Sequence, residues 1–282
     1  MTDPIGLLHP GSMGVVLGDL LRAGGARVVW ASAGRSARTK ARAEGIGIED
    51  LGTVAAVARA SGLVLCICPP EAALDVAEEV MAAGFAGTYV DANAVSPERA
   101  VAIGEVVARG GASFVDGGVI GPPPVAAGTT RLYLAGLAAP AVAALFAGTP
   151  CDARALDGPV GRASALKMSF AAYTKGRAAL EAACLALAAH HGLRDELRSE
   201  WELMTPGRAD DVEGNLVRLA PKAWRFGAEM RFIADSLAAA GVPDGFHRAA
   251  AEIYERWARY RGRDGAEPSI DEMMGELTER AG

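Results

Sequence analysis

The run Ile5-Gly6-Leu7-Leu8-His9-Pro10-Gly11-Ser12-Met13-Gly14 takes an apolar strand through a glycine-bearing bend and into a helical pattern. A strand that feeds directly into a helix commits the chain to βα units and a parallel sheet. The same alternation continues to about Leu156. It predicts strands at Ile5–Leu8, Arg27–Ala31, Leu63–Ile67, Thr88–Asp91, Ser113–Asp116 and Arg131–Ala135, with Ala-rich helices between them. Several of these strands are apolar throughout, as in Leu63-Val64-Leu65-Cys66-Ile67, which suits a sheet covered by helices on both faces. Ser96 followed by Pro97 marks a helix start.

After the turn Asp157-Gly158-Pro159-Val160-Gly161 the strand runs stop, and a helical pattern extends from about Ala163 to His190. Further amphipathic helices are predicted over Leu193–Met204, Asp210–Leu219, Lys222–Ala240 and Gly245–Tyr260, separated by Pro206, Pro221 and Pro243. Ser269-Ile270-Asp271-Glu272 reads as a capping box opening a last helix. The chain of 282 residues therefore divides into an α/β domain over 1–160 and an all-helical domain over 161–282.

The balance of 28 Lys and Arg against 34 Asp and Glu leaves a net charge of -6, so no basic excess is available to neutralise a nucleic-acid backbone. Gly, Pro or charge interrupts every apolar stretch before the roughly 18 residues a membrane span requires. The start of the chain lacks a secretory pattern, and four cysteines are few for this length, so a reducing, cytoplasmic setting is expected. Cys66 and Cys68 alternate along one strand as packed thiols. A single C-x-C does not specify a metal site, and His190, His191 and His247 show no paired ligand spacing, so no metal is expected.

In a dinucleotide-binding bend one glycine lets the backbone approach the pyrophosphate and another lets helix pack on strand, with the helix N-terminus facing the negative charge. Gly11 and Gly14 take those two places, and His9 stands where the first glycine of G-x-G-x-x-G is usual. A structural βα turn without ligand is the competing reading. His9, Pro10, Gly11, Ser12, Met13 and Gly14 are the candidate cofactor contacts. After the second strand the chain has Ser32-Ala33-Gly34-Arg35-Ser36 and no carboxylate to take a ribose 2'-hydroxyl. Arg35 can meet a 2'-phosphate bidentately with Ser32, Ser36 or Arg38 assisting, so NADP(H) is expected over NAD(H).

These motifs, with Asp91 through Pro97, Asp116-Gly117-Gly118 and Gly158-Pro159-Val160-Gly161 leading to Lys167, resemble the β-hydroxyacid dehydrogenases, 6-phosphogluconate dehydrogenase and their relatives, including the imine reductases. The wording is most similar to a poorly characterised branch of that family. The resemblance implies an N-terminal Rossmann domain with a doubly wound, mostly parallel sheet, a helical C-terminal domain and usually a homodimer sharing that domain. It also implies a lysine early on the long helix that moves the substrate's proton during hydride exchange, and Lys167 matches that place. Ser164, Ala165, Leu166, Met168, Ser169 and Phe170 give it small or apolar neighbours in sequence.

The family's polar substrate anchors are altered. Phe170 and Ala171 stand where an amide or imidazole is usual, Ile120-Gly121-Pro122 replaces a Ser-Gly-Gly stretch, and Ala228 beside Glu229 replaces a lysine. A bulkier or less polar substrate than a simple 3-hydroxy acid is expected. Asn93 stands where the family has a serine near the nicotinamide, with an Asx-type turn as the alternative role. Asp116 ends a strand as a catalytic candidate or as a cap for the following turn. Cys68 and Pro69 shape a loop under the cofactor, while Tyr173 and Lys175 rank second on the long helix. The reading is an NADP-dependent oxidoreductase acting on a hydroxy acid or substituted alcohol. An NADPH-dependent imine reductase and a cofactor-binding protein without catalysis are the alternatives.

Overall fold

A computed structural model describes residues 3–263 and 267–279. The chain forms two compact units, residues 1–168 and 169–282.

The first unit is an eight-stranded sheet in the order β3-β2-β1-β4-β5-β6-β7-β8. Its strands are β1 Ile5–Leu8, β2 Val28–Trp30, β3 Glu49–Asp50, β4 Leu63–Cys66, β5 Thr88–Asp91, β6 Ser113–Ile120, β7 Thr130–Ala135 and β8 Cys151–Leu156. Every neighbouring pair is parallel except β6 with β7. Six helices accompany them: α1 Ser12–Ala23, α2 Ala37–Gly45, α3 Val54–Ala60, α4 Ala73–Ala82, α5 Pro97–Arg109 and α6 Ala139–Ala144. This is the doubly wound α/β arrangement anticipated from the pattern.

The continuous apolar strands have a direct explanation. Side chains alternate across a strand, so Leu8, Val64, Cys66 and Tyr89 enter one core with Val57, Val80 and Ile103. Leu7, Leu65 and Val90 enter the opposite core with Leu17, Trp30 and Leu132. Each such buried side chain contributes about 1.5–3 kcal/mol relative to exposure, so the middle positions of the central strands are apolar on both faces.

The sheet also contains features that periodicity did not reveal. β3 is two exposed acidic residues and β8 alternates charged with small residues, so neither reads as a buried strand. β6 continues past Asp116 through Gly117-Gly118 to Ile120, pairing antiparallel with β7. At α5, the Ser96 hydroxyl accepts from the Arg99 N–H at 3.2 Å, with Pro97 in the first turn.

The long helix α7, Arg162–His190, begins in the first unit and continues into the second. The second unit then contains α8 Arg194–Met204, α9 Arg208–Leu219, α10 Phe226–Ala239, α11 Gly245–Arg256 and α12 Ile270–Thr278. Two expected helices are each interrupted: Ala220–Arg225, carrying Pro221, and Trp257–Tyr260 are tighter 3-10 turns. Ser269 caps α12 as expected, accepting from the Glu272 N–H at 3.1 Å. Inside this unit Trp257 is fully buried and donates its indole N–H to the Met273 carbonyl, while the Tyr254 hydroxyl donates to the Lys175 carbonyl at 2.7 Å. No helix among the described residues is long and apolar enough to cross a membrane.

Candidate active site at the carboxyl edge of the sheet

Strand register assembles the site. Leu8 pairs with Cys66, Cys66 with Asp91, and Asp91 with Asp116, one line across the carboxyl ends of β1, β4, β5 and β6. The residues just beyond this line are His9, Cys68, Asn93 and Gly118. Strand order reverses between β1 and β4, and the crevice outside the carboxyl ends at such a point is where open α/β sheets bind ligands.

The β1–α1 bend is built from backbone. His9 has φ 67°, the left-handed conformation that glycine adopts without cost. Among non-glycine residues, histidine is one of those that tolerate it, so the bend survives the exchange of its first glycine. The Gly11 N–H donates to the His9 carbonyl at 2.7 Å. A Cβ on Gly14 would lie 2.7 Å from that carbonyl oxygen, which explains why only glycine fits there. Gly18, one turn later, lies so close to β1 that a Cβ would sit 2.6 Å from Leu7. Helix α1 starts at Gly11 with no side-chain cap and no acidic residue in its first turn. Its leading N–H groups suit an anion. The exposed Ser12 and half-buried Met13 occupy that turn, next to the buried Pro10.

At the end of β2 the structure adds a residue that sequence spacing did not suggest. Asp50, in register with Trp30 on β3, accepts from the Ser32 N–H at 3.1 Å and the Gly52 N–H at 2.8 Å. Burial pushes its carboxyl up, but hydrogen bonds from Ser32 and Gly52 and the nearby Lys40 outweigh this and hold it below the ordinary value. Its Oδ1 is committed to closing the bend. The Ser36 hydroxyl caps α2, accepting from the Thr39 N–H at 3.2 Å. Arg35 is half-buried in the same bend.

Asn93, 3% exposed, links two segments: its N–H and its side-chain amide both donate to Asp91 Oδ1, and its Oδ1 accepts from the Cys68 N–H at 2.6 Å. It ties the β4 loop carrying buried Cys68 and exposed Pro69 to the end of β5. Burial, with the charges of Cys66 and Asp116 adding, pushes the Asp91 carboxyl well above its usual range against the hydrogen bonds from Asn93.

Asp116, 1% exposed, receives the start of α7. Its Oδ2 accepts from the N–H groups of Gly161 at 2.9 Å, Ala163 at 2.9 Å and Ser164 at 3.1 Å, and its Oδ1 from the Ser164 hydroxyl at 2.6 Å. A carboxylate at a helix N-terminus satisfies otherwise orphaned donors. Burial nevertheless leaves its pKa above the ordinary value, because the hydrogen bonds from Ser164, Gly161 and Ala163 only partly offset it. The cap determines what lies one turn on. A Cβ on Gly118 would be 2.6 Å from the Ala163 carbonyl and 3.1 Å from Lys167 Cβ, so the glycine lets α7 lie directly on β6 and sets Lys167 beside the carboxyl edge. Lys167 is half-buried.

Lys175, in the second unit, is differently placed: its ammonium forms an ion pair with Glu229 and lies 4.3 Å from the centre of the Phe226 ring. Phe170 and Tyr173 are exposed and Ala171 is buried.

A family model described as a domain of unknown function, DUF1932, matches residues 188–257, within the helical unit. Curated protein sequences give no significant match. Among solved structures, one of a conserved protein of unknown function, described as structurally similar to 3-hydroxyacid dehydrogenases, is 26% identical with TM-score 0.67, covering 91% of this chain and 97% of that one. The 3-hydroxyisobutyrate dehydrogenase of Mycobacterium tuberculosis, with L-serine, is 19% identical with TM-score 0.69, covering 99% and 100%. A reductive aminase from Aspergillus terreus, in complex with NADPH and ethyl levulinate, is 18% identical with TM-score 0.56, covering 98% and 99%. These likenesses bear out the family resemblance carried by the motifs: the chain has the fold of the 3-hydroxyacid dehydrogenase-like Rossmann proteins.

Proposed function

We propose that the chain is an NADP(H)-dependent oxidoreductase that interconverts a hydroxy acid, or a related substituted alcohol, with its carbonyl compound. The observation that carries this reading is the convergence, on one edge of one sheet, of an uncapped helix N-terminus and a lysine whose helix is clamped by Asp116. When bound, the nicotinamide supplies or accepts the hydride. The N–H groups of Ser12, Met13 and Gly14 hold the pyrophosphate, Gly11 lets the backbone approach it, and Gly14 keeps α1 packed against the bend. Arg35, assisted by Ser32 and Ser36, holds the 2'-phosphate. The NADPH of the reductive aminase supports that choice of cofactor. Cys68 and Pro69 shape the loop beside the cofactor, with Asn93 fixing it. Lys167 moves the proton at the substrate oxygen. Asp116 serves as a positioning residue: both of its oxygens are used on the helix that carries Lys167.

The test is titration of the full chain with NADPH and NADH, followed by turnover of panels of keto acids and cyclic imines. Saturable NADPH binding, at least about tenfold tighter than NADH, with keto-acid turnover is expected; one lost charged phosphate contact corresponds to about that ratio. Absence of saturable binding overturns the proposal. Turnover of imines alone would transfer it to C=N reduction, and tight binding without turnover of either panel to a cofactor-binding protein. The reading includes a homodimer formed through the helical unit, which sedimentation of the purified chain reports.

A further inference from the structure

His9 and the two cysteines of the β4 end have a second relationship, independent of any dinucleotide. Cys66 and Cys68 are two residues apart on one extended segment and therefore share a face, and β1 lies immediately alongside in parallel register. One ligand atom from each of His9, Cys66 and Cys68 lies within 4.8 Å of the others. The two sulfurs are 3.8 Å apart. Two thiolates each about 2.3 Å from a tetrahedral zinc ion stand about 3.8 Å apart. We propose that His9, Cys66 and Cys68 form a binding site for Zn2+, with the two sulfurs and one imidazole nitrogen as its protein ligands.

Two further observations point to the same place. His9 Nδ1, the Tyr89 hydroxyl and Asp91 Oδ2 are buried atoms with no hydrogen-bond partner among the described residues. Tyr89 and Asp91 themselves are 0% and 2% exposed. Buried polar groups are rarely left unpaired, and a bound ion is one of the standard reasons when they are. The Asn93 amide donates to Cys66 Sγ at 3.7 Å and also to Asp91, an outer hydrogen bond of the type that orients metal-bound thiolates. Two thiolates and an imidazole, in a pocket closed to bulk water on the cysteine side, match the soft donor set that selects Zn2+ over Mg2+ or Ca2+. Binding displaces a proton from each cysteine thiol that still carries one, and the protons pass to the buffer.

The probe is Co2+, followed by Zn2+ competition, added to the untagged full chain purified with a non-thiol reductant. One Co2+ per chain is expected, with a thiolate-to-cobalt charge-transfer band, tetrahedral visible bands and displacement by Zn2+. Cys66→Ser, Cys68→Ser and His9→Gly should each weaken binding by at least about 100-fold, since each removes a direct ligand and loss of an outer partner alone costs about 10- to 100-fold. His9→Gly guards against misfolding as the cause, because glycine suits φ 67° better than histidine does. The proposal is overturned if saturating Co2+ gives no charge-transfer band, if the band persists in the Cys66→Ser/Cys68→Ser double variant, or if the protein purified under reductant holds a Cys66–Cys68 disulfide instead. None of these readouts depends on NADPH, so the two proposals fail separately.

Discussion

The two units treat buried carboxylates in opposite ways. In the helical unit Glu181 and Glu229 are answered by cations, Glu181 by Arg208 and Arg177 and Glu229 by Lys175. In the sheet unit Asp91 and Asp116 are answered by N–H, amide and hydroxyl donors. Removing either partner of such a buried pair is strongly destabilising. A carboxylate satisfied by neutral donors keeps a pKa that burial can raise, as it does for both aspartates. The carboxyls raised by burial therefore lie at the carboxyl edge of the sheet, while Glu181 and Glu229 of the helical unit are held in ion pairs.

The two lysines of α7 test this contrast most directly. Lys167→Ala is expected to lower kcat by about 10²–10⁴-fold with little change in cofactor affinity or thermal midpoint, the usual range for removing a general acid-base group. A normal kcat would take Lys167 out of the chemistry. Lys175→Ala should do the reverse. With its side chain 17% exposed and paired to a buried glutamate, removal leaves Glu229 without that cation and costs about 3 kcal/mol by denaturant titration. A larger loss of turnover than of stability in this variant would break the contrast.

Gly14→Ala comes next. Its Cβ must displace the His9 carbonyl from 2.7 Å, so a stability loss of about 1–3 kcal/mol is expected together with roughly tenfold weaker NADPH binding by fluorescence titration. The smallest effect is a slope. Because the folded Asp116 carboxyl titrates above its ordinary 3.8, the folded state binds the extra proton between the two values. Wild type should therefore lose stability relative to Asp116→Asn as pH rises through the folded pKa. The difference should level off below 3.8. Parallel stability curves for the two proteins would show that folding leaves the carboxyl's pKa unshifted.

Much of this architecture was legible in residue order. Strands buried on both faces are apolar through most of their length, so β1 and β4 announced themselves, and Ser96-Pro97 and Ser269 marked helix starts through local capping chemistry. β3 and β8 did not, because edge strands of acidic or alternating residues carry no such demand. The commitment of Asp116 to the start of α7 was not foreseen, since the sequence had it as a catalytic candidate or a cap for the following turn and partners some 45 residues away leave no local signal. Asp50 was missed for the same reason: what brings it to Ser32 is pairing of β3 with β2.

Local sequence determined the alternation of strand and helix, the glycine bend at 11 and 14, and the long helix bearing Lys167, because these follow from periodicity, φ preference and caps acting within a few residues. Only the tertiary structure decided that Leu8, Cys66, Asp91 and Asp116 form one line, that His9 meets Cys66 and Cys68, and that Gly118 admits α7 onto β6. Register between strands distant in sequence is set by the packing of two whole helical layers against the sheet, and no short stretch of residues contains that information.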